Sequence, residues 1–534
     1  MGQGALSPTL NRRSFLLAGS AALAGCEPAP AEIGGGWVGA SAARGHRLRN
    51  ALPARNAGPL RRTSILIVGG GIAGLACARA LQRAGVDEFV LLELEDQAGG
   101  NSRGHAMGGI GCPIGAHYLP LPGPEAPEVY QLLEELGLVR QQLGRALYDE
   151  RHLCHSPQER LFFEGQWLDG LLPPARDAAA REQYLRFARA IDDAQRQLGF
   201  AMPTHHAAWT PAHAALDAQT FATWLDAQRL DDPRLRWYLD YCCRDDYGAG
   251  ITQVSAWAGL HYFASRHGFH PPGAETGERE AVLTWPEGNG WLATRLAAPL
   301  AGRIHTGRTV LRIEEGRHEV ELQAWNEKTQ APERWIAQQV VLATPLFIAD
   351  RLTGGALPAL HAAATQLSYA PWLVTNLQLA AAPLQRLGVP LAWDNVVYGS
   401  PALGYVDARH QSLSPDAAGP TVLTAYWALP RERRPALLQN DWRTWLRAVL
   451  ADLGAIHPDL PGQLQRADLA RWGHAMSIPV PGLRSSAALS ALQSPQGRLH
   501  FAHADLSAYS VFEEAYTHGT RVAAQLVANA AAAR

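Results

Sequence analysis

An α/β fold, with a parallel-sheet domain assembled from discontinuous segments and an α+β domain inserted into it, is what the sequence predicts. Three observations carry that prediction. A short apolar run, a glycine turn and a helix of small and apolar residues follow one another from Ile65 to Ala84. β-rich stretches return far downstream, between Arg303 and Ala343, with helical segments such as Asp177 to Leu198 in the interval. At 534 residues, the chain also exceeds the roughly 250 to 300 residues that one hydrophobic core sustains, so at least two domains are required.

Taken in order, the first residues read as an address. Asn11-Arg12-Arg13-Ser14-Phe15-Leu16 sets paired arginines before an apolar run that ends at Gly25, short of the about 20 residues a membrane helix needs. This resembles a twin-arginine export signal, and Leu23-Ala24-Gly25-Cys26 resembles a lipobox acylated on its cysteine. A signal over 1–26, passage through the twin-arginine translocase, a periplasmic or cell-envelope location and membrane contact through a lipidated Cys26 are expected. Residues 27–62, rich in Ala, Gly, Pro and Arg, keep no period of 2 or 3.6 and read as a linker.

The folded part is expected from Thr63. Ile65 to Val68 suits a buried parallel strand, Gly69 to Gly71 a turn, Ile72 to Ala84 a closely packed helix, and Phe89 to Leu92 the next strand. Arg303 to Val320 reads as strands, Lys328 falls in a polar loop, and Gln339 to Ala343 is a buried strand before Thr344-Pro345. The expected domains are a nucleotide-binding part at 63–150, a mainly helical insertion at 151–284, a second nucleotide-binding part at 285–345, further substrate domain at 346–470, and a last nucleotide-binding part at 471–534.

Gly69-Gly70-Gly71-Ile72-Ala73-Gly74 fits GxGxxG in its full context of strand, turn and helix. Gly69 makes the turn and Gly71 lets the backbone approach a pyrophosphate. Gly74 lets the helix pack on the sheet, while the first-turn N–H groups at Ile72 and Ala73 and the dipole face the phosphates. Glu93, 24 positions beyond Gly69, closes the second strand where an acid accepts from ribose hydroxyls.

Four further segments carry a resemblance. Gly99-Gly100-Asn101-Ser102-Arg103 resembles the GG motif of the flavin amine oxidase superfamily, which includes monoamine and polyamine oxidases, protoporphyrinogen oxidase and phytoene desaturases. Trp285-Pro286-Glu287-Gly288-Asn289-Gly290-Trp291 is similar to its PxGG-type segment, and Thr309 to Ile313 to the strand that touches the adenine, which puts Val310 there. Phe501-Ala502-His503-Ala504-Asp505, with Phe512 to Gly519 and Arg521, is similar to its FAG(D/E) segment and final helix, with His503 in place of the usual glycine.

The resemblance implies a Rossmann-like FAD-binding domain, with Gly69, Gly71, Ile72, Ala73, Gly74, Glu93, Gly100, Arg103, Val310 and Asp505 as cofactor residues. The family's arginine usually follows the glycines directly, whereas Asn101 and Ser102 intervene before Arg103. Some members attach the flavin through a cysteine near the C-terminal motif; with no cysteine after Cys243, FAD is expected to be non-covalent.

The family's amine oxidases usually hold a water near the flavin with a lysine. The one lysine here is Lys328, and the strand Pro371 to Leu377, which aligns to the lysine-bearing one, has none. Val511 stands where a cage tyrosine is common, with Tyr509 two positions earlier. Histidine titrates near neutral pH, so His117 in Gly115-Ala116-His117-Tyr118 and His474 in Arg471-Trp472-Gly473-His474 are the candidates for proton handling, or else structural residues. Trp472 is a cavity wall or core. Asp245 and Asp246 line a substrate channel and attract a cation, or cap a helix. Cys154 between His152 and His155 lacks the remaining ligands of a metal site, so no metal is expected, and the cysteine spacing calls for no essential disulfide.

A net charge of -2 without a basic stripe excludes a nucleic-acid footprint and leaves a small-molecule substrate. The activity implied is FAD-dependent removal of a hydride, first from an amine, with electrons passed to oxygen or another acceptor. A desaturase or isomerase of a hydrophobic molecule and a non-catalytic electron carrier are the alternatives; an apolar cavity without carboxylates would favour the former.

Overall fold

The computed structural model describes residues 33–50, 54, 57–271, 281–411 and 419–532. Arg12, Arg13 and Cys26, which carry the export and lipidation readings, lie outside the described residues. The described residues from Gly35 onward form one unit.

Strand β1 (Gly34–Val38) and helix α1 (Ala42–His46) come first, before β2 (Leu60–Val68), helix α2 (Ile72–Arg83) and β3 (Phe89–Glu93). Next come β4 (Glu159–Phe163), β5 (Gln166–Asp169), α3 (Ala178–Leu198) and α4 (Pro233–Tyr247). The middle of the chain adds β6 (Ile304–Thr306), β7 (Arg308–Glu315), β8 (Val320–Asn326) and β9 (Ala331–Leu342). The last elements used below are β10 (Tyr369–Leu379), β11 (Asp394–Val397), β12 (Tyr405–Asp407), β13 (Thr421–Ala428), β14 (Leu464–Ser477), β15 (Leu499–Phe501) and α5 (Phe512–Ala532).

Two sheets organise these strands. One runs β6-β3-β2-β9-β8-β7, with β15 also pairing with β9, and its centre is parallel: Val68 stands opposite Leu92 and Leu342. Ile65 and Ile67 point into one apolar cluster and Leu66 and Val68 into another, so both faces of β2 are buried. That is why its sequence runs apolar without alternation. Helix α5 lies on α2 at Gly519, where a Cβ would come 2.2 Å from the Ala73 carbonyl oxygen.

The second sheet runs β1-β14-β10-β13-β12-β11-β4-β5 and packs on α3 and α4 through a third apolar cluster. The expected division therefore shifts at three places. The insertion at 151–284 opens with β4 and β5, which join this second sheet. The division at 470/471 cuts β14, whose pairing with β10 runs from Leu464 to Ser477, so 471–477 belong with the substrate-side sheet. The expected tether at 27–62 is folded over 34–49, where its charged residues find partners far along the chain, which no local period reveals.

Candidate active site

The turn after β2 builds the floor of a cavity of about 360 Å³. Gly69 has φ +105, and a Cβ there would lie 2.5 Å from the Ala343 oxygen. At Gly74 a Cβ would lie 1.9 Å from the Gly69 oxygen, so this glycine serves packing of helix on turn, while at Gly71 nothing stands nearer than 3.9 Å. Gly69, Gly71, Ile72, Ala73, Glu93, Gly100, Val310 and Asp505 all line the cavity. First-turn N–H groups of α2, without intrahelical acceptors, open there.

Glu93 is buried, which raises its pKa, although Oε2 accepts from the Gly70 N–H (2.6 Å) and Oε1 from the Glu95 N–H (2.8 Å). Each oxygen keeps a second lone pair for a hydroxyl donor. Asp505 is fully buried at the other side of the cavity. Its Oδ2 accepts from the Tyr369 hydroxyl (2.6 Å) and the Leu346 N–H (2.9 Å). Burial pushes this carboxyl up, but His503, the Tyr369 hydroxyl and the Leu346 N–H outweigh it and hold the pKa below the usual range. Asp505 Oδ1 faces only the His503 Nδ1, 3.3 Å away, and the Thr344 hydroxyl, also in the cavity wall, is buried without a hydrogen-bond partner.

An extended diphosphate ligand fits this set: acceptors at Glu93 and Asp505, an orphaned hydroxyl at Thr344, and bare backbone at Gly71 between them. Arg103 does not join it. The two residues inserted before it form a helical turn (Gly100–Ser102); its Nε donates to the Gly100 carbonyl (3.1 Å), and its guanidinium lies 5.4 Å over Trp472. Asn101 and Ser102 line the cavity in its place.

A second chamber, of about 140 Å³, adjoins the first through Asn101, Ala116, Ala475, Ser510, Val511 and Phe512, which line both. His117 is in its wall, stacked on Tyr426 with centroids 4.4 Å apart, and burial pushes its pKa down to about 3. Trp472, Trp372 and Tyr118 complete the aromatic lining. His474 lines only the first cavity, against Phe347 (4.6 Å), with its pKa lowered to about 4, first by burial and then by Arg434. The two histidines are thus in different cavities. Tyr509 lines neither; its hydroxyl donates to Glu514 (2.7 Å).

Asp245 and Asp246, on α4, reach the chamber together with Arg266 and Glu513. Asp246 pairs with Arg266 at 2.6 Å, and Glu513 stands 3.8 Å from the same guanidinium. Asp245 has no hydrogen bond or ion pair among the described residues; burial, then Asp246, raises its pKa to about 7. Arg266 comes from a π-helical turn (Phe263–His267) with no motif around it, and Glu513 lies within the Phe512 to Gly519 stretch of α5 without being a residue that the motif singles out, so neither was expected at the site. Lys328 is exposed in the turn between β8 and β9 and lines neither cavity.

The family model for flavin containing amine oxidoreductases matches residues 72–527. The chain is 23% identical to the L-amino acid dehydrogenase of Synechocystis sp. over 84% of its own length and 91% of the relative's. It is 29% identical to the coproporphyrinogen III oxidase of Mycobacterium tuberculosis over 59% of its length and 66% of that protein's. Putrescine oxidase bound to putrescine superimposes with a TM-score of 0.68 over 88% of this chain and all of that one, at 19% identity. With the nucleotide cradle and the adjoining chamber, these matches make the chain an FAD-dependent oxidoreductase that belongs to the flavin containing amine oxidoreductase family.

Proposed function

We propose that the protein oxidises the C–N bond of a small cationic amine, using FAD held without a covalent bond and passing the electrons to oxygen or another acceptor. The observation that carries this reading is Asp245, an acid facing an aromatic chamber beside the cofactor cavity with no cation bonded to it. Bound FAD supplies the hydride acceptor. The chain's own residues bind and orient: Asp245 holds the ammonium group, Tyr426, Trp372 and Trp472 wall the chamber around it, and Glu93, Gly71, Thr344 and Asp505 hold the cofactor.

A hydrophobic alkene has no use for three carboxylates in its chamber, which argues against a desaturase or isomerase. Amino acids, after which the Synechocystis relative is named, bring a carboxylate that needs a cation, and the chamber's Arg266 is engaged by Asp246 and Glu513. That favours amines without a carboxylate. The putrescine oxidase likeness supports an amine, not a diamine in particular.

The test is anaerobic mixing with amines, polyamines, amino acids and apolar alkenes in turn, following the flavin band near about 450 nm. Bleaching by one amine class supports the reading; bleaching by no amine, with the flavin bound, overturns it. Acid precipitation that leaves the flavin in the supernatant supports non-covalent binding. Export by the twin-arginine translocase to the periplasm or envelope, with Cys26 as a lipid anchor, is proposed on the residues alone, and Arg12→Lys with Arg13→Lys should abolish it.

A further inference from the structure

We propose that residues 41–49 are a clasp over the adenosine half of FAD, with Gly45 and Leu48 as cofactor contacts. This rests on the non-covalent FAD binding argued above, not on the identity of the substrate. The segment precedes the nucleotide fold in sequence, yet Gly45 and Leu48 line the cofactor cavity beside Glu93, Leu94, Val310 and Leu352. Glu93 is the ribose acid, which Leu94 follows, and Val310 lies on the strand assigned to the adenine. None of these residues lines the chamber that Asp245 faces, so the clasp covers a part of the cavity away from it.

Its pins lie on both sides of that part. On the ribose side the Ser41 N–H donates to Glu95 Oε1 (2.8 Å), and Arg44 donates to the Leu94 carbonyl (3.2 Å) and to Asp96 (3.0 Å). On the strand side Arg47 grips Glu327 through two bonds (2.9 and 2.8 Å) and lies 5.0 Å over Trp325. Arg351 donates to the Leu48 carbonyl (3.2 Å). Upstream, Trp37 packs under Arg471 of β14 (4.7 Å), so the segment joins the two sheets across the cavity.

The chemistry of the contact is apolar against a purine. Leu48 stands in the same wall as Val310 and Leu352, and apolar side chains with an aliphatic edge suit the face of a purine ring. Partly exposed ion pairs are individually weak and screened by salt, so the clasp holds only as a set, and raising ionic strength should loosen it. A clasp made this way sets how slowly the adenosine end leaves, a step that the GxGxxG turn alone does not control.

The test uses the apoprotein titrated with FAD and with ADP, which carries the adenosine diphosphate half alone. In Arg44→Ala with Arg47→Ala, both ligands should bind about tenfold or more weakly, and salt should no longer speed FAD release. Unchanged FAD affinity in a variant that melts like the parent overturns the proposal, as does weaker FAD binding with ADP affinity unchanged. Should the double variant fail to fold, Leu48→Ala keeps every pin and tests the contact itself, with the same two outcomes. Failure of the amine reading would appear instead in the bleaching assay of the parent protein, and flavin that stays with acid-precipitated protein would remove the premise of the clasp.

Discussion

Asp246 Oδ1 stands 2.6 Å from Arg266 Nη2 in the chamber wall, and Asp245, the preceding residue on α4, faces the same chamber with no such partner. The guanidinium neutralises Asp246 and stands 3.8 Å from Glu513, whose pKa burial raises, so the chamber acid with no cation at ion-pair distance to meet a substrate is Asp245. Its pKa, raised to about 7 by burial and then by Asp246, puts its ionisation inside the working range.

Asp245→Asn should lower kcat/KM for a cationic amine by about 30- to 100-fold, the worth of about 2 to 3 kcal/mol for a bond between charged groups. The sign of the pH effect follows from ionisation: below about 7 the carboxyl is neutral and cannot hold an ammonium, so kcat/KM rises with pH through that value in the parent. The rise should vanish in the variant. Identical pH profiles of flavin reduction in the two proteins would remove Asp245 from substrate binding.

Arg266→Gln should destabilise the protein by about 3 to 5 kcal/mol, because Asp246 and Glu513 are left buried without their cation. Burial already raises both carboxyl pKa values above their ordinary range. Without the guanidinium they go higher still, and a folded-state pKa above the unfolded one means stability that is present at low pH and lost as pH rises. Denaturant melts of the variant should therefore recover toward the parent as pH falls through the range of those carboxyls, and a constant gap across pH would show that the ion pair is not what was lost.

Two glycines of one motif should fail in different ways. At Gly71, φ is -71 and a Cβ has no neighbour closer than 3.9 Å, so Gly71→Ala should fold and melt like the parent apoprotein but bind FAD about tenfold or more weakly, its methyl group occupying the pyrophosphate's approach. Gly74→Ala drives a Cβ to 1.9 Å from the Gly69 oxygen, which is backbone and cannot swing away. It should lower stability even without flavin. Thermal melts of the two apoproteins separate the cases.

The cradle was legible because its signal is local: β2, the glycines and Glu93 lie within one βαβ unit, and each residue type is forced by backbone approach or burial. Arg103 was misplaced because two inserted residues turn it toward Gly100 and Trp472, a displacement that spacing in sequence records only as a gap. The chamber was half legible. His117, Trp472, Asp245 and Asp246 stood out by type, but Trp372, Tyr426, Arg266 and Glu513 converge from four separate elements. The segment 34–49 was hidden for a related reason, since short elements held by ion pairs to Asp96 and Glu327 leave no periodic trace.

His117 should prove a wall and not a base. Its ring stacks on Tyr426 at 4.4 Å, with Trp393 at 5.3 Å and Tyr118 at 5.1 Å, and burial pushes its pKa down to about 3. An alkylammonium releases its proton near the lysine value of about 10.4, so a neutral imidazole this weak is far too poor an acceptor to take that proton. His117→Phe keeps an aromatic face against Tyr426 while removing both nitrogens. It should leave the pH profile of flavin reduction in place and change chiefly the apparent affinity for the amine, by less than about tenfold, because the shape of the wall is altered while the charge at Asp245 is untouched. Loss of one limb of the pH profile in His117→Phe, with Asp245 intact, would instead make His117 the proton acceptor and require that substrate binding lift its pKa well above 3.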